Sequence, residues 1–95
     1  MRNKFIEVLT QKAKTNNKII LIVGDLGYNV VEQFQNKFPK RFYNAGICEQ
    51  NMASMAAGLA SEGFHVFIYS IANFPTFRCA EQLRNDIGYH NLNVT

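Results

Sequence analysis

Hydrophobic positions along this chain fall into two alternating rhythms. Phe5, Ile6, Leu9 and Ala13 recur at helical spacing, with Lys12 and Lys14 set to meet the negative end of the helix dipole. The polar stretch TNNK breaks that rhythm, and IILIV, residues 19–23, follows as a continuous apolar run closed by GDLG. A short run rich in β-branched side chains predicts a strand buried on both faces of a parallel sheet. Val30, Val31 and Phe34 predict a short helix near 29–36, stopped around Phe38-Pro39 because the residue before a proline is pushed out of helical geometry. RFYNAG reads as a second strand running into a loop. Residues 47–61 read as a helix with Gly63 placed to end it, and HVFIYSI as a third strand. A fourth helix is expected over 76–87, with Ala80, Leu83 and Ile87 on one face and Arg78, Glu81 and Arg84 away from it. NLNVT then opens a fourth strand.

Helix and strand thus alternate four times. The pattern predicts an α/β fold, a doubly wound parallel sheet with helices on both faces, cut short after the fourth strand opens. Residues 1–95 are read as one partial domain, which in folds of this type continues with further β-α units.

Composition narrows the classes. A chain of 95 residues buries roughly 65% of the surface its unfolded form exposes, so an apolar face left over needs a partner. With 47% apolar and 18% charged residues the sequence reads as globular. The net charge of +3 is mild, and no basic stripe interleaves with aromatics, which argues against nucleic acid. IILIV is too short to span a bilayer, and residues 1–18 are too polar for a secretory core, so a soluble cytoplasmic protein is expected. Cys48 and Cys79 lie far apart and form no C-x-x-C pair, so both are expected to be reduced and to serve in packing.

One stretch poses a chemical question. In NAGICEQNMASMAAGLASEG, residues 44–63, Glu49 is followed by no charged residue until Glu62. Ala53 with Ala57, and Ala56 with Ala60, stand at i and i+4, where small side chains let another backbone come close. A helix this apolar is buried on most sides, either in the domain's own core or also against a second subunit. Glu49 is then a carboxylate in a first helical turn, a role worth about 0.3–1 kcal/mol by itself. Burial favours its neutral form and the helix N-terminus its charged form.

FYNAGICEQNMASMAAGLASEG, followed by VFIYSIANF and RCAEQLRNDIGYHNLNV, resembles the pyrimidine-binding domain of transketolase-like, thiamine-diphosphate-dependent enzymes. The form it most resembles is the separate C-terminal subunit of two-chain transketolases. The likeness runs from about Ile19 to Val94 and rests on the spacing from G-I-x-E-Q-N-M through a downstream Phe to R-x-x-E-Q-L-R.

The resemblance implies that Glu49, the glutamate of G-I-x-E, hydrogen-bonds N1′ of the cofactor's aminopyrimidine and must hold or share a proton to do so. It implies that Phe74 stacks on the pyrimidine ring. Ile71 stands where the family often carries a second aromatic, which keeps an apolar wall and loses a ring. Asp25 and Leu26 fall where the family approaches the thiazolium, although an Asp after a strand is also an ordinary helix cap. Arg78 reads either as a phosphate contact or, by spacing, as an i+3 partner of Glu81. The G-D-G…N motif that holds diphosphate and Mg²⁺ in this family does not occur in the chain, so no metal site is expected here. The implied partner is a diphosphate-binding subunit or domain, in a homodimer or heterotetramer acting on sugar phosphates. His65 and His90 match no catalytic position and read as surface or packing residues. The expected activity is transfer of a two-carbon ketol unit between sugars. The alternatives are a non-catalytic structural or regulatory module of the same fold, or a fragment of the deoxyxylulose-phosphate-synthase type.

Overall fold

IILIV becomes strand β1, Ile19–Val23, and all five of its residues are buried in the computed structural model, which describes residues Met1–Thr95. It lies at the centre of a three-stranded parallel sheet, between β2 (Phe42–Asn44) and β3 (His65–Tyr69). Alternation along the strand divides its side chains between two layers. Ile19, Leu21 and Val23 pack with Ile6, Leu9 and Ala13 of α1 (Arg2–Thr15) and with Phe34 of α2 (Glu32–Lys37). Ile20 and Ile22 pack with Met52, Ala56 and Ala60 of α3 (Glu49–Ser61) and with Val66. The predicted doubly wound arrangement, helices on both faces of a parallel sheet, is the observed one.

Valine 94 forms a parallel bridge with Val66, and the Ile68 amide donates to the Thr95 carbonyl at 2.8 Å, so the chain's last residues start a fourth strand beside β3. Two predicted helices differ in detail. The one expected near 29–36 begins at Glu32, because Asn29 takes a left-handed φ of 59° and donates its amide to the Glu32 carboxylate at 2.8 Å. The one expected over 76–87 is a 3₁₀ turn, Phe77–Cys79, followed two residues later by α4, Gln82–Gly88, which is wound as a π-helix. Tyr89 and Leu92 each donate to the carbonyl five residues back. Glycine permits this at position 88, where a β-carbon would stand 2.9 Å from the Leu83 carbonyl oxygen. The changed winding also rotates the inward face. Cys79 and Ile87 are buried, whereas Ala80 is exposed.

Chain direction decides where chemistry can occur. From β1 the chain moves outward to β2, then crosses back by α3 to β3 on the other side of β1. All strands are parallel, so the loops leaving their C-terminal ends (residues 24–31, 45–48 and 70–76) rise on one edge of the sheet. The reversal of strand order about β1 opens a crevice at that edge, the usual place for a ligand in such sheets.

Arginine 41 secures the opposite edge. Its guanidinium donates to the carbonyls of Ala13 at 3.0 Å and Asn16 at 2.9 Å, and lies 4.0 Å over the Phe38 ring. It thereby satisfies carbonyls at the end of α1 that have no helical partner. Arg41→Ala is expected to lower stability to urea by about 2 kcal/mol, and Arg41→Lys to recover only part of that. An unchanged denaturation midpoint in the alanine variant would remove this role.

His65 opens β3, with its ring 4.3 Å from that of Phe67 and its Nε2 3.1 Å from Thr95 Oγ1. Burial pushes its pKa below the ordinary 6.5. A histidine that binds its proton less well when folded adds stability at pH values above the unfolded pKa and loses it as pH falls through the folded one. The wild type should therefore lose stability below about pH 6.5 more steeply than His65→Gln. Parallel pH profiles would show that His65 does not contribute.

Candidate functional site

The crevice is built from three loops tied together by short side chains. Asn44, the last residue of β2, accepts from the amides of Asp25 (2.9 Å) and Gly46 (3.0 Å) and donates to the Asp25 carboxylate at 3.0 Å. This joins the loops that follow β1 and β2, and it leaves Asp25 at a φ of 54°, a left-handed conformation that Asp tolerates better than most residues. Gly46, at φ 76°, turns the chain toward α3. The Met52 amide donates to the Cys48 carbonyl at 2.9 Å, which starts the helix and places Glu49 in its first turn.

Glu49 is 5% exposed, the one acidic residue in the buried set. Its Oε2 accepts from Arg78 Nη1 at 3.1 Å across 29 residues of sequence. The Arg78 guanidinium lies over the Phe74 ring, 3.9 Å from its centroid. Arg78 thus links Glu49 to Phe74, bonding the carboxylate and lying over the ring. The third loop holds its shape by its own bonds. The Phe74 amide donates to Ile71 O at 2.7 Å, and Cys79 Sγ donates to Phe74 O at 3.2 Å. Gln50 Nε2 donates to Arg78 O at 3.1 Å and pins this loop to the start of α3. Glu49 and Arg78 line a cleft of about 560 Å³ with Ile47, Cys48, Gln50 and Asn51.

Several sequence expectations meet this geometry differently. Arg78 pairs with Glu49 rather than with Glu81, whose carboxylate instead accepts from Asn85. The cause is the 3₁₀ turn, which rests over the start of α3, together with the greater need of a buried carboxylate for a cation. Asp25 caps no helix; its partner is Asn44. Asp25 and Leu26 line a separate cleft with residues of β1, β2 and α2, whereas Glu49 and Phe74 come together through Arg78. Ile71 is 55% exposed on the same loop as Phe74. Cys48 is exposed and does not pack, while Cys79 is buried as expected. The outer side of α3 carries exposed Gln50, Asn51, Ser54, Gly58 and Ser61, so its apolar residues are taken up mainly by the domain's own core. Spacing gave no signal for the Arg78–Glu49 contact, which exists only once β3 returns beside β1.

This edge also carries exposed apolar side chains. Tyr28, Ile47, Ile71 and Phe77 are exposed, and each lies in a segment leaving the C-terminal end of a strand. The Arg78 guanidinium carbon lies 3.9 Å from the Phe74 centroid and Nη1 donates to Glu49, so one nitrogen-bearing group touches both. Fold and site together define an α/β domain that brings a buried carboxyl and an aromatic face together at one edge of its sheet.

The chain belongs to the transketolase pyrimidine-binding domain family, whose model matches residues 1–95. It is 41% identical over 95 residues to a Methanocaldococcus jannaschii protein named "Putative transketolase C-terminal section". It is 30% identical over 95 residues to the 6-deoxy-6-sulfo-D-fructose transketolase subunit SqwH of a Clostridium species. In both cases 99% of this chain is covered, and it spans 30% of the relative. The 1-deoxy-D-xylulose-5-phosphate synthase of Clostridium perfringens is 34% identical over 94 residues, 96% of this chain and 15% of that protein. Among solved structures, a split-gene transketolase described as an inactive β4 tetramer superposes with a TM-score of 0.88 at 37% identity. That match covers 98% of this chain and 31% of the other.

The two thiols should report the site's burial. Burial pushes the Cys79 thiol up, the negative charge of Glu49 adds to this, and Arg78 opposes it. A maleimide or disulfide reagent near neutral pH is expected to modify Cys48 promptly and Cys79 only on unfolding. Equal labelling rates in the native protein would contradict the burial of Cys79.

Proposed function

We propose that this chain is the pyrimidine-recognising part of a thiamine-diphosphate-dependent transketolase, which moves a two-carbon ketol unit between sugars or sugar phosphates. The observation that carries the reading is the buried Glu49 carboxyl, joined to the face of Phe74 through a planar donor. Thiamine diphosphate, when bound, supplies the nucleophilic carbon and the electron sink for that transfer.

The work of this chain is to hold and orient. Phe74 offers a stacking face, worth about 0.5–1.5 kcal/mol beyond simple burial. Glu49 holds a proton at the N1′ side of the ring, and its low exposure keeps competing water away. Ile71 supplies an apolar wall, and the Asp25–Leu26 loop borders the thiazolium side. A partner subunit or domain holds the diphosphate with its Mg²⁺. Tyr28, Ile47, Ile71 and Phe77, exposed around the crevice, support such a partner, because apolar side chains grouped at one edge favour a covering surface. We place the assembly, a homodimer or heterotetramer, in the cytoplasm.

A second reading is a non-catalytic module of the same fold, and the inactive tetramer described for the split-gene structural neighbour supports it. Kinship with deoxyxylulose-phosphate synthase supports the same cofactor with a different acceptor. Ketol transfer should be assayed with the chain combined with a diphosphate-binding transketolase subunit. Glu49→Gln is expected to lower the rate at least about a hundredfold while leaving the thermal transition of the chain in place. Phe74→Ala should weaken cofactor binding roughly tenfold. Equal turnover in wild type and Glu49→Gln would exclude the role of Glu49, and no turnover in either would favour the non-catalytic module.

A further inference from the structure

We propose that Arg78 is a place-holder for the cofactor ring: its guanidinium fills the pyrimidine slot between Phe74 and Glu49 and swings out when the cofactor enters. The inference rests on the reading of Glu49 and Phe74 as that slot.

The guanidinium imitates what the slot is built to hold. It is flat, carries an N–C–N edge, lies 3.9 Å over the Phe74 ring and donates to Glu49 at 3.1 Å. An aminopyrimidine is also flat, stacks on an aromatic face and meets a carboxyl through a ring nitrogen. At 3.9 Å the face of Phe74 is in van der Waals contact with its occupant, so a second flat group cannot enter while the first remains.

The exit is short. The Arg78 side chain is 49% exposed, so half of it already reaches solvent. Its main chain is fixed by two bonds, Gln50 Nε2 to Arg78 O at 3.1 Å and the Arg78 amide to Asn73 O at 3.3 Å. Release therefore needs a rotamer change of one side chain and leaves the loop and Phe74 in place. Such flips at exposed residues are fast.

Release also frees the Glu49 carboxyl, because the guanidinium that covers Phe74 is the same group that donates to Glu49. One movement thus clears the ring face and the carboxyl together. While Arg78 is in place, Glu49 keeps a partner, and the cost of an unpaired buried charge is avoided.

The test is calorimetric titration of thiamine diphosphate into the chain assembled with a diphosphate-binding transketolase subunit. Arg78→Ala is expected to bind the cofactor roughly tenfold more tightly than wild type, since the internal competitor is gone. Guanidinium chloride at low millimolar concentration should compete in Arg78→Ala and bring its affinity back toward wild type. It should have no effect on the wild type, whose slot is already filled. Arg78→Lys keeps the charge without the planar fork and should also bind more tightly, which covers failure of the alanine variant to fold. Unchanged or weaker binding in Arg78→Ala and Arg78→Lys would overturn the place-holder. Glu49→Gln separates the two levels of the argument. If it loses cofactor affinity while the Arg78 variants gain none, the slot stands and the place-holder falls. If Glu49→Gln binds like wild type, both fall together.

Discussion

Because Ile19–Val23 is buried on both faces and paired on both edges, it fixes nearly everything else about the domain. A strand with no solvated face needs a helical layer on each side, and the two packed groups that alternate along it supply them. Parallel neighbours on both edges require crossover connections, which α2 and α3 provide. Three parallel strands then send their following loops to one edge. The crevice that gathers Glu49, Phe74 and Arg78 is thus a consequence of burying one apolar pentapeptide from both sides.

What could be read from the sequence follows the range of the forces involved. β1 was legible as an apolar run, α1 and α3 as periodic patterns, and the end of α3 as Gly63, which takes a φ of 88°. These are local signals. The G-I-x-E register singled out Glu49 as a candidate, and the structure joins Glu49 and Phe74 through Arg78. Legibility ended where tertiary contacts decide. The i+3 spacing of Arg78 and Glu81 is the same in any helix, but a 3₁₀ turn laid over the start of α3 gives Arg78 a buried acid to pair with instead. The π winding of α4 likewise depends on Gly88 approaching Leu83 closely, which no periodicity reveals.

Of the two readings open for the charge-free helix, burial in the domain's own core is the one seen. α3 is apolar on the side that packs on β1 and β3, and its outer side is small and polar rather than greasy. Some of the exposed apolar residues, Tyr28, Ile47, Ile71 and Phe77, lie around the crevice instead. The core is satisfied while apolar side chains stand exposed around the crevice. The chain spans about 30% of the relatives it matches.

The absence of other charges along α3 bears on Glu49 as well. Between Glu49 and Glu62 the helix carries no lysine or arginine, so it offers the buried carboxyl no second cation on its own face. Arg78, from the other side of the crevice, is the ion-pair partner of Glu49, and its side chain is half in solvent. The pairing of Glu49 therefore rests on a single half-exposed side chain. Had α3 carried a lysine one turn along, the acid would have stayed paired whether or not Arg78 moved. A helix without charges and an acid with one detachable partner are two sides of the same arrangement. In it, the hydrogen-bond partner of Glu49 and the group on the face of Phe74 are one and the same.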